Sequence, residues 1–310
     1  MSTLEQSLAD YLQLRRSLGH DLADAARLLP RFVAYLDTVG ADTVTIEHAL
    51  AWSQHDVDPA TTVGPCRMTA VRGFARYLAG LDPRTEIPPV GLLPHRRRWR
   101  PPFIYTNDDI AALLDQTHQS LPRPALRAAT YHTLVGLLAT TGLRIGEAIR
   151  LDRADVDWSD GVLLIRESKF GKSRQVPVHT TTLGALAVYA AQRDQAQPSL
   201  QQPSFFVSSR GTRLCYQVVC HTFRKLVDAA KVGAASTATP TLHGLRHSFA
   251  VRTLLEWHRT GQDVDARLPW LSTYLGHRDP RSTYWYLSAT PELLAVAADR
   301  LQAASTAVSS

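Results

Sequence analysis

The chain has 310 residues, is 45% hydrophobic and carries a formal net charge of +6 at pH 7. That length points to two domains with enough apolar side chain for a core, and no run approaches the ~18 apolar residues of a membrane span. The opening Met1-Ser2-Thr3-Leu4-Glu5-Gln6 lacks a basic-then-apolar signal, and Cys66, Cys215 and Cys220 build no disulfide framework, so a reducing, cytoplasmic setting without membrane is expected.

Behind a Ser2/Glu5 capping box, Leu4, Leu8, Tyr11, Leu12 and Leu14 recur at helical spacing up to Gly19. A second amphipathic helix carries Leu22, Ala25, Leu28, Leu29, Phe32, Val33 and Leu36 and stops at Gly40. A short third opens at Thr45 with Glu47, and a fourth covers 61–79, with Met68, Val71, Phe74, Ala75 and Leu78 inward. Arg72 and Arg76 share a face of that helix, with Arg67 nearby; a solvated face and a phosphate-contacting face fit equally well. Residues 81–104 read as a linker, holding six prolines and the basic strap His95-Arg96-Arg97-Arg98-Trp99-Arg100. Between two domains, such a strap can lie along a DNA backbone and release counterions.

The second domain opens on a helix capped by Thr106-Asn107-Asp108-Asp109, followed by a long apolar helix over 126–140. Thr141-Gly142-Leu143-Arg144 is a turn into another helix, 145–151. The period then changes: 162–165 and 175–178 read as a hairpin around Lys169-Phe170-Gly171-Lys172-Ser173. Helices are expected over 183–195 and 216–230, with a short strand at Phe205-Phe206-Val207 between them. Others start at Thr241 and Arg267. Asp279-Pro280 caps a helix reaching two turns on to Tyr286, and a last apolar-faced helix, with Leu293, Leu294, Ala297, Ala298 and Leu301, ends near Ala304. Cys215, Cys220 and His221 lack a fourth ligand and finger spacing, so neither metal nor cofactor is expected.

Six polar residues lie at turns and helix starts. Arg144 sits at a helix N-terminus, a natural anion site, and Lys169 at a hairpin tip. His243 and Arg246, three apart, share a helix face. His277 lies in a joint between helices, nine residues before Tyr286. Two arginines, a lysine, two histidines and a tyrosine suit metal-free attack on a phosphodiester: guanidiniums bind its oxygens, a phenolate attacks and a lysine protonates the leaving oxygen.

In four segments, in order, the chain resembles the tyrosine recombinase (phage integrase) family: Thr141-Gly142-Leu143-Arg144-Ile145-Gly146-Glu147, Lys169-Phe170-Gly171-Lys172-Ser173-Arg174, His243-Gly244-Leu245-Arg246-His247-Ser248-Phe249-Ala250, and Leu275-Gly276-His277 with Tyr286. The resemblance implies a mainly α fold with a small antiparallel β-sheet. It comprises a four-helix, SAM-like core-binding domain at 1–80, a linker at 81–104, a catalytic domain at 105–304 with its tail helix, and a flexible tail at 305–310, together forming a C-shaped DNA clamp. It implies that Tyr286 cuts DNA to a 3′-phosphotyrosyl intermediate that is then resealed to another strand. Arg144 and Arg246 would hold the phosphate, Lys169 act as general acid, His243 assist proton transfer, His277 hydrogen-bond the phosphate and Glu147 support the site. Arg67, Arg72, Arg76, Arg96, Arg97, Arg98, Arg100, Lys172 and Arg174 would contact double-stranded DNA. A tetramer of this chain on paired sites is the expected assembly, in the bacterial nucleoid, with room for accessory recombinases or directionality factors. Departures are Phe170 where the family often has Gly, a longer stretch around 257–270, and two further tyrosines, Tyr274 and Tyr284, near Tyr286. The expected function is a site-specific recombinase serving a mobile element as integrase or transposase; a sequence-specific DNA-binding protein of this fold that does not cut and a type IB topoisomerase-like enzyme are the alternatives.

Overall fold

The computed structural model describes residues 3–59, 61–93, 101–121, 124–166, 173–199, 201–277, 279 and 281–288. The chain divides into two compact units, Met1–Trp99 and Arg100–Ser310. It is mainly helical with one small antiparallel sheet, as the residue pattern implies.

The first unit holds α1 (Thr3–Ser17), α2 (Ala23–Thr38), α3 (Ile46–Gln54) and α4 (Val63–Leu78). Their apolar stripes close on one core, where Leu29, Phe32, Leu36, Met68, Val71 and Phe74 are buried. Thr45 caps α3 by accepting from the His48 N–H. The described part of the linker, 81–93, is folded onto this unit instead of running free. Glu86 N–H donates to Val44 O at 2.8 Å, its carboxylate accepts from Ile46 N–H at 2.7 Å, and Leu92 and Leu93 pack on the core. Prolines explain this: they give no N–H but leave strong carbonyl acceptors. Arg72 takes two of them, donating from Nε to Pro88 O at 2.7 Å and from Nη2 to Pro89 O at 2.9 Å.

In the second unit the chain enters along α10 (Leu242–Arg259). Tyr105 N–H donates to the Ser248 hydroxyl at 2.7 Å, and Tyr105 Oη donates to Thr241 O at 3.0 Å. Thr106 and Asp109 form a full capping box on α5 (Asn107–Ser120). Helix α6 (Ala125–Thr141) is buried nearly all round and forms the centre of the core. Next come α7 (Ile145–Arg150) and a meander of β1 (Val156–Asp157), β2 (Val162–Ile165) and β3 (Arg174–Pro177), with Leu163 opposite Val176. Helices α8 (Thr180–Ala196), α9 (Tyr216–Ala229), α10 (Leu242–Arg259) and α11 (Val264–Leu275) follow.

Two expectations are corrected. Residues 205–207 form no strand: single bridges at Ser204 and Val207 are all the pairing there, and the backbone is held by Leu151 O, Arg193 and the Tyr189 hydroxyl. Three buried side chains in a row give a strand-like sequence to what is side-chain-tied coil. The expected two-turn helix before Tyr286 is a short α12 (Arg281–Tyr284) running into a 3₁₀ turn, Trp285–Ser288. Asp279 does cap it, accepting from Arg281 N–H at 2.9 Å. The tail helix expected over 290–304 lies outside the described residues.

Ser248→Ala removes the acceptor for the Tyr105 N–H and leaves that donor buried. A loss of about 1–3 kcal/mol is expected in denaturant unfolding of the second unit, and an unchanged midpoint would show the entry segment to be held by packing alone.

Candidate active site

The site forms where α6, α10 and α11 end or begin near one another. Gly142 closes α6 in the left-handed region, at φ +62°, and an added Cβ would lie 2.6 Å from the Phe249 ring. The turn it makes places Arg144 as the N-cap of α7. Gly276 closes α11 in the same way, at φ +68°, and a Cβ there would meet the Arg174 guanidinium at 2.7 Å.

Three successive carbonyls at the end of α11 each hold a different arginine. Arg174 Nε donates to Tyr274 O at 2.8 Å, Arg246 Nη2 to Leu275 O at 2.6 Å, and Arg144 Nη2 to Gly276 O at 3.1 Å. These carbonyls have no helical partner and lie at the negative end of the helix dipole, so they suit cations. Arg246 is anchored a second time, donating to Gly142 O at 2.8 Å.

Glu147 ties the cluster together. Its carboxylate accepts from Arg144 Nη1 at 2.8 Å, from the Arg144 N–H at 3.0 Å, and bidentately from Arg174 at 3.0 and 2.9 Å. Burial alone would raise its pKa, but Arg174 and then Arg144 hold it down at about 2. Two guanidiniums thus bind one carboxylate with a third, Arg246, held beside them by backbone carbonyls, and the cluster keeps an excess of positive charge suited to an anion. Burial, then repulsion from Arg144, pushes Arg246 down to about 10.

The histidines and the phenol complete the site. His243, Arg246 and His247 share one face of α10. His247 Nδ1 lies 3.1 Å from the Tyr286 hydroxyl. The His243 ring meets the His247 ring edge-on, with centroids 4.5 Å apart. His277 stacks on Tyr286 at 6.2 Å, and its Nδ1 pairs with the Thr283 hydroxyl at 2.7 Å. All three histidines are driven toward the neutral form. Burial comes first, then neighbouring charge, with His247 at about 4, His277 at about 3, and His243 lowered by Arg246 and Arg144. Burial raises the Tyr286 phenol, against the pull of Arg246 and Arg144. Tyr286 is 2% exposed and Tyr284 49%, so the two rings face opposite ways. Tyr274 is spent elsewhere: its hydroxyl donates to Pro177 O and its ring stacks on Phe249.

Of the expected site residues, Arg144, Glu147, His243, Arg246, His277 and Tyr286 come together here. Arg174 joins them as the partner of Glu147, its side chain 11% exposed. Arg67 and Arg72 are also engaged within the protein. Arg67 donates to Trp52 O and His55 O and lies over the Trp52 ring, while Arg72 holds Pro88 and Pro89. Arg76 is exposed on α4. Lys169, Lys172, Arg96, Arg97, Arg98 and Arg100 lie outside the described residues. His247 is the site residue that the sequence reading misses. Its signal is its place one residue after Arg246 and four after His243, on the same helix face. Among the described residues, no three His, Cys, Asp or Glu side chains converge as metal ligands would, and no helix is long and apolar enough to cross a membrane.

A profile of the phage integrase family matches residues 104–292. The protein y4rB of Sinorhizobium fredii, named an integrase/recombinase, is 42% identical over 307 residues, covering 97% of this chain and 98% of that protein. Tyrosine recombinase XerD of Mycobacterium tuberculosis is 31% identical over 311 residues, covering 93% of this chain and 94% of its own. This chain therefore belongs to the phage integrase family, the tyrosine recombinases. Two solved structures share its fold. The Tn1549 transposon integrase, in complex with transposon right-end DNA, has a TM-score of 0.64 at 17% identity, covering 96% of this chain and 99% of that one. A lambda integrase tetramer bound to a Holliday junction has a TM-score of 0.60 at 18% identity, covering 91% and 76%.

The depressed pKa of Glu147 fixes the sign of an acid effect. The unfolded chain binds this proton more readily, so the stabilisation is complete above the usual carboxyl value of 4.5 and drains as pH falls toward about 2. In full it is worth about 3 kcal/mol. Between those limits the melting temperature of wild type is expected to fall more steeply with acid than that of Glu147→Gln. Parallel curves would show that the carboxylate is not held as a charged partner.

Proposed function

We propose that this chain is a site-specific DNA recombinase that cuts a strand through Tyr286, forming a 3′-phosphotyrosyl intermediate and a free 5′-hydroxyl, and then reseals the strand to another end. The observation that carries this reading is the Tyr286 hydroxyl, hydrogen-bonded inside a cluster of three arginines and three histidines. Arg144 and Arg246 hold the non-bridging oxygens and stabilise the charge of the pentacoordinate state. Lys169 gives a proton to the departing 5′ oxygen, His277 hydrogen-bonds the phosphate, and His243 stands beside the path of the phenol proton.

Arg76 on the first unit, with Arg96, Arg97, Arg98, Arg100 and Lys172, supplies backbone contacts to double-stranded DNA. The assembly is a tetramer on paired sites, the state in which the lambda integrase was captured on a Holliday junction. A mobile element is the natural setting. The relative from Sinorhizobium fredii is named an integrase/recombinase, and the Tn1549 protein is a transposon integrase bound to its transposon end.

Tyr286→Phe is expected to bind DNA and fold as wild type does while forming no covalent adduct on nicked duplex; Tyr284→Phe should still cleave. Peptide mapping that finds the phosphate on Tyr284 or Tyr274 would sink the assignment, and binding without any adduct by the wild type would favour a DNA-binding protein that does not cut. Replacing Arg96, Arg97, Arg98 and Arg100 with Ala should weaken binding at every sequence and flatten its salt slope by up to ~0.9 for each phosphate no longer neutralised; an unchanged slope would show that the strap does not touch phosphate.

A further inference from the structure

We infer that His247, a residue outside the expected catalytic set, takes the proton of Tyr286 as the phenol attacks. This rests on the reading of Tyr286 as nucleophile, and it moves to His247 a step that the family resemblance gives to His243. Distance decides between them: the His247 Nδ1 lies 3.1 Å from the Tyr286 hydroxyl, within hydrogen-bond reach of the proton to be removed. Arg246 gives two of its donors to Gly142 O and Leu275 O. For the transfer the phenol donates to His247 Nδ1, which is then the unprotonated nitrogen, with the ring hydrogen on Nε2.

The surroundings keep His247 in this acceptor state. His243 and Arg246 face it from α10, and Trp285 and Tyr286 face it from the 3₁₀ turn. Burial, with His243 and Arg246, holds its pKa at about 4, so the ring is neutral throughout the physiological range. His243 is more open to solvent than His247 and stands edge-on behind it, 4.5 Å between centroids.

In the cleavage step the Tyr286 Oη–P bond forms as the phenol hydrogen passes to His247 Nδ1. The P–O5′ bond breaks, and the leaving oxygen takes its proton from Lys169. Resealing reverses each transfer: the 5′-hydroxyl returns its proton to Lys169 and attacks phosphorus, and Oη leaves with the proton held on His247.

The test uses the full-length protein and a nicked duplex made from the DNA flanking its own gene, with single-turnover adduct formation followed between about pH 6 and pH 8. His247→Leu is expected to lower the rate about 100-fold with DNA affinity unchanged. His247→Asn keeps a hydrogen-bonding group near the Nδ1 position but no base. Its melting temperature and DNA affinity should match wild type. Its rate should be low and should rise about tenfold per pH unit as hydroxide takes over, where wild type is flat. If His247→Leu fails to fold, the Asn variant carries the test alone. An Asn variant as fast as wild type with the same flat profile would overturn the inference, because an amide can position the phenol but cannot take its proton. Tyr286→Phe run alongside separates the two claims: an adduct formed by that variant removes the nucleophile reading itself, whereas its inactivity beside a fully active His247→Asn removes only the role of His247.

Discussion

Three arginines distant in sequence meet because one helix ends. The carbonyls of Tyr274, Leu275 and Gly276 are left unpaired by the termination of α11, and each accepts from one guanidinium. A helix must leave such groups somewhere, and here they act as the template for a cationic cluster. Gly276 makes the arrangement feasible, since its left-handed backbone ends the helix and its missing Cβ leaves room for Arg174. Gly142 does the same on α6, offering its carbonyl to Arg246 while turning the chain into Arg144.

Gathering like charges in a protein interior is costly unless the ions are paired and fully hydrogen-bonded. Glu147 and four backbone carbonyls meet that need in the free chain, but only one carboxylate is provided for three cations. Burial first, and then the uncompensated positive charge, lowers the pKa of Arg246 and keeps the surrounding histidines neutral. On the proposed function, a phosphodiester supplies the missing negative charge, and its extra charge in the pentacoordinate state is met by donors already fixed in place. The bond from Arg174 to Glu147 also fastens β3 to the same cluster.

Most helices are legible in the sequence because their apolar periods and caps agree, as at Thr45, Thr106, Thr241 and Asp279. The site residues are legible because they fall at turns, where a polar side chain has no packing role to explain it. What cannot be read is where an arginine's hydrogen bonds go. Arg67, Arg72 and Arg174 look like surface cations for DNA, yet each is engaged by groups 12 to 100 residues away. Carbonyls are identical at every position and leave no trace in residue type. His247 escapes notice for a related reason. Its neighbour Arg246 carries the family motif, and only the 3₁₀ turn at Trp285–Ser288, which replaces the expected regular helix, swings the Tyr286 hydroxyl onto its ring.

If Arg144, positioned by Gly276 and Glu147, neutralises charge on the phosphate undergoing exchange, a neutral phosphate should make it dispensable. A methylphosphonate at that position removes one negative charge and leaves the rest of the DNA intact. Adduct formation by wild type and by Arg144→Ala would be compared on both substrates. Arg144→Ala is expected to be inactive on the natural phosphate and to regain adduct formation on the neutral one. An equal defect on both substrates would contradict this, placing the contribution of Arg144 in the fold rather than in the charge of the transition state.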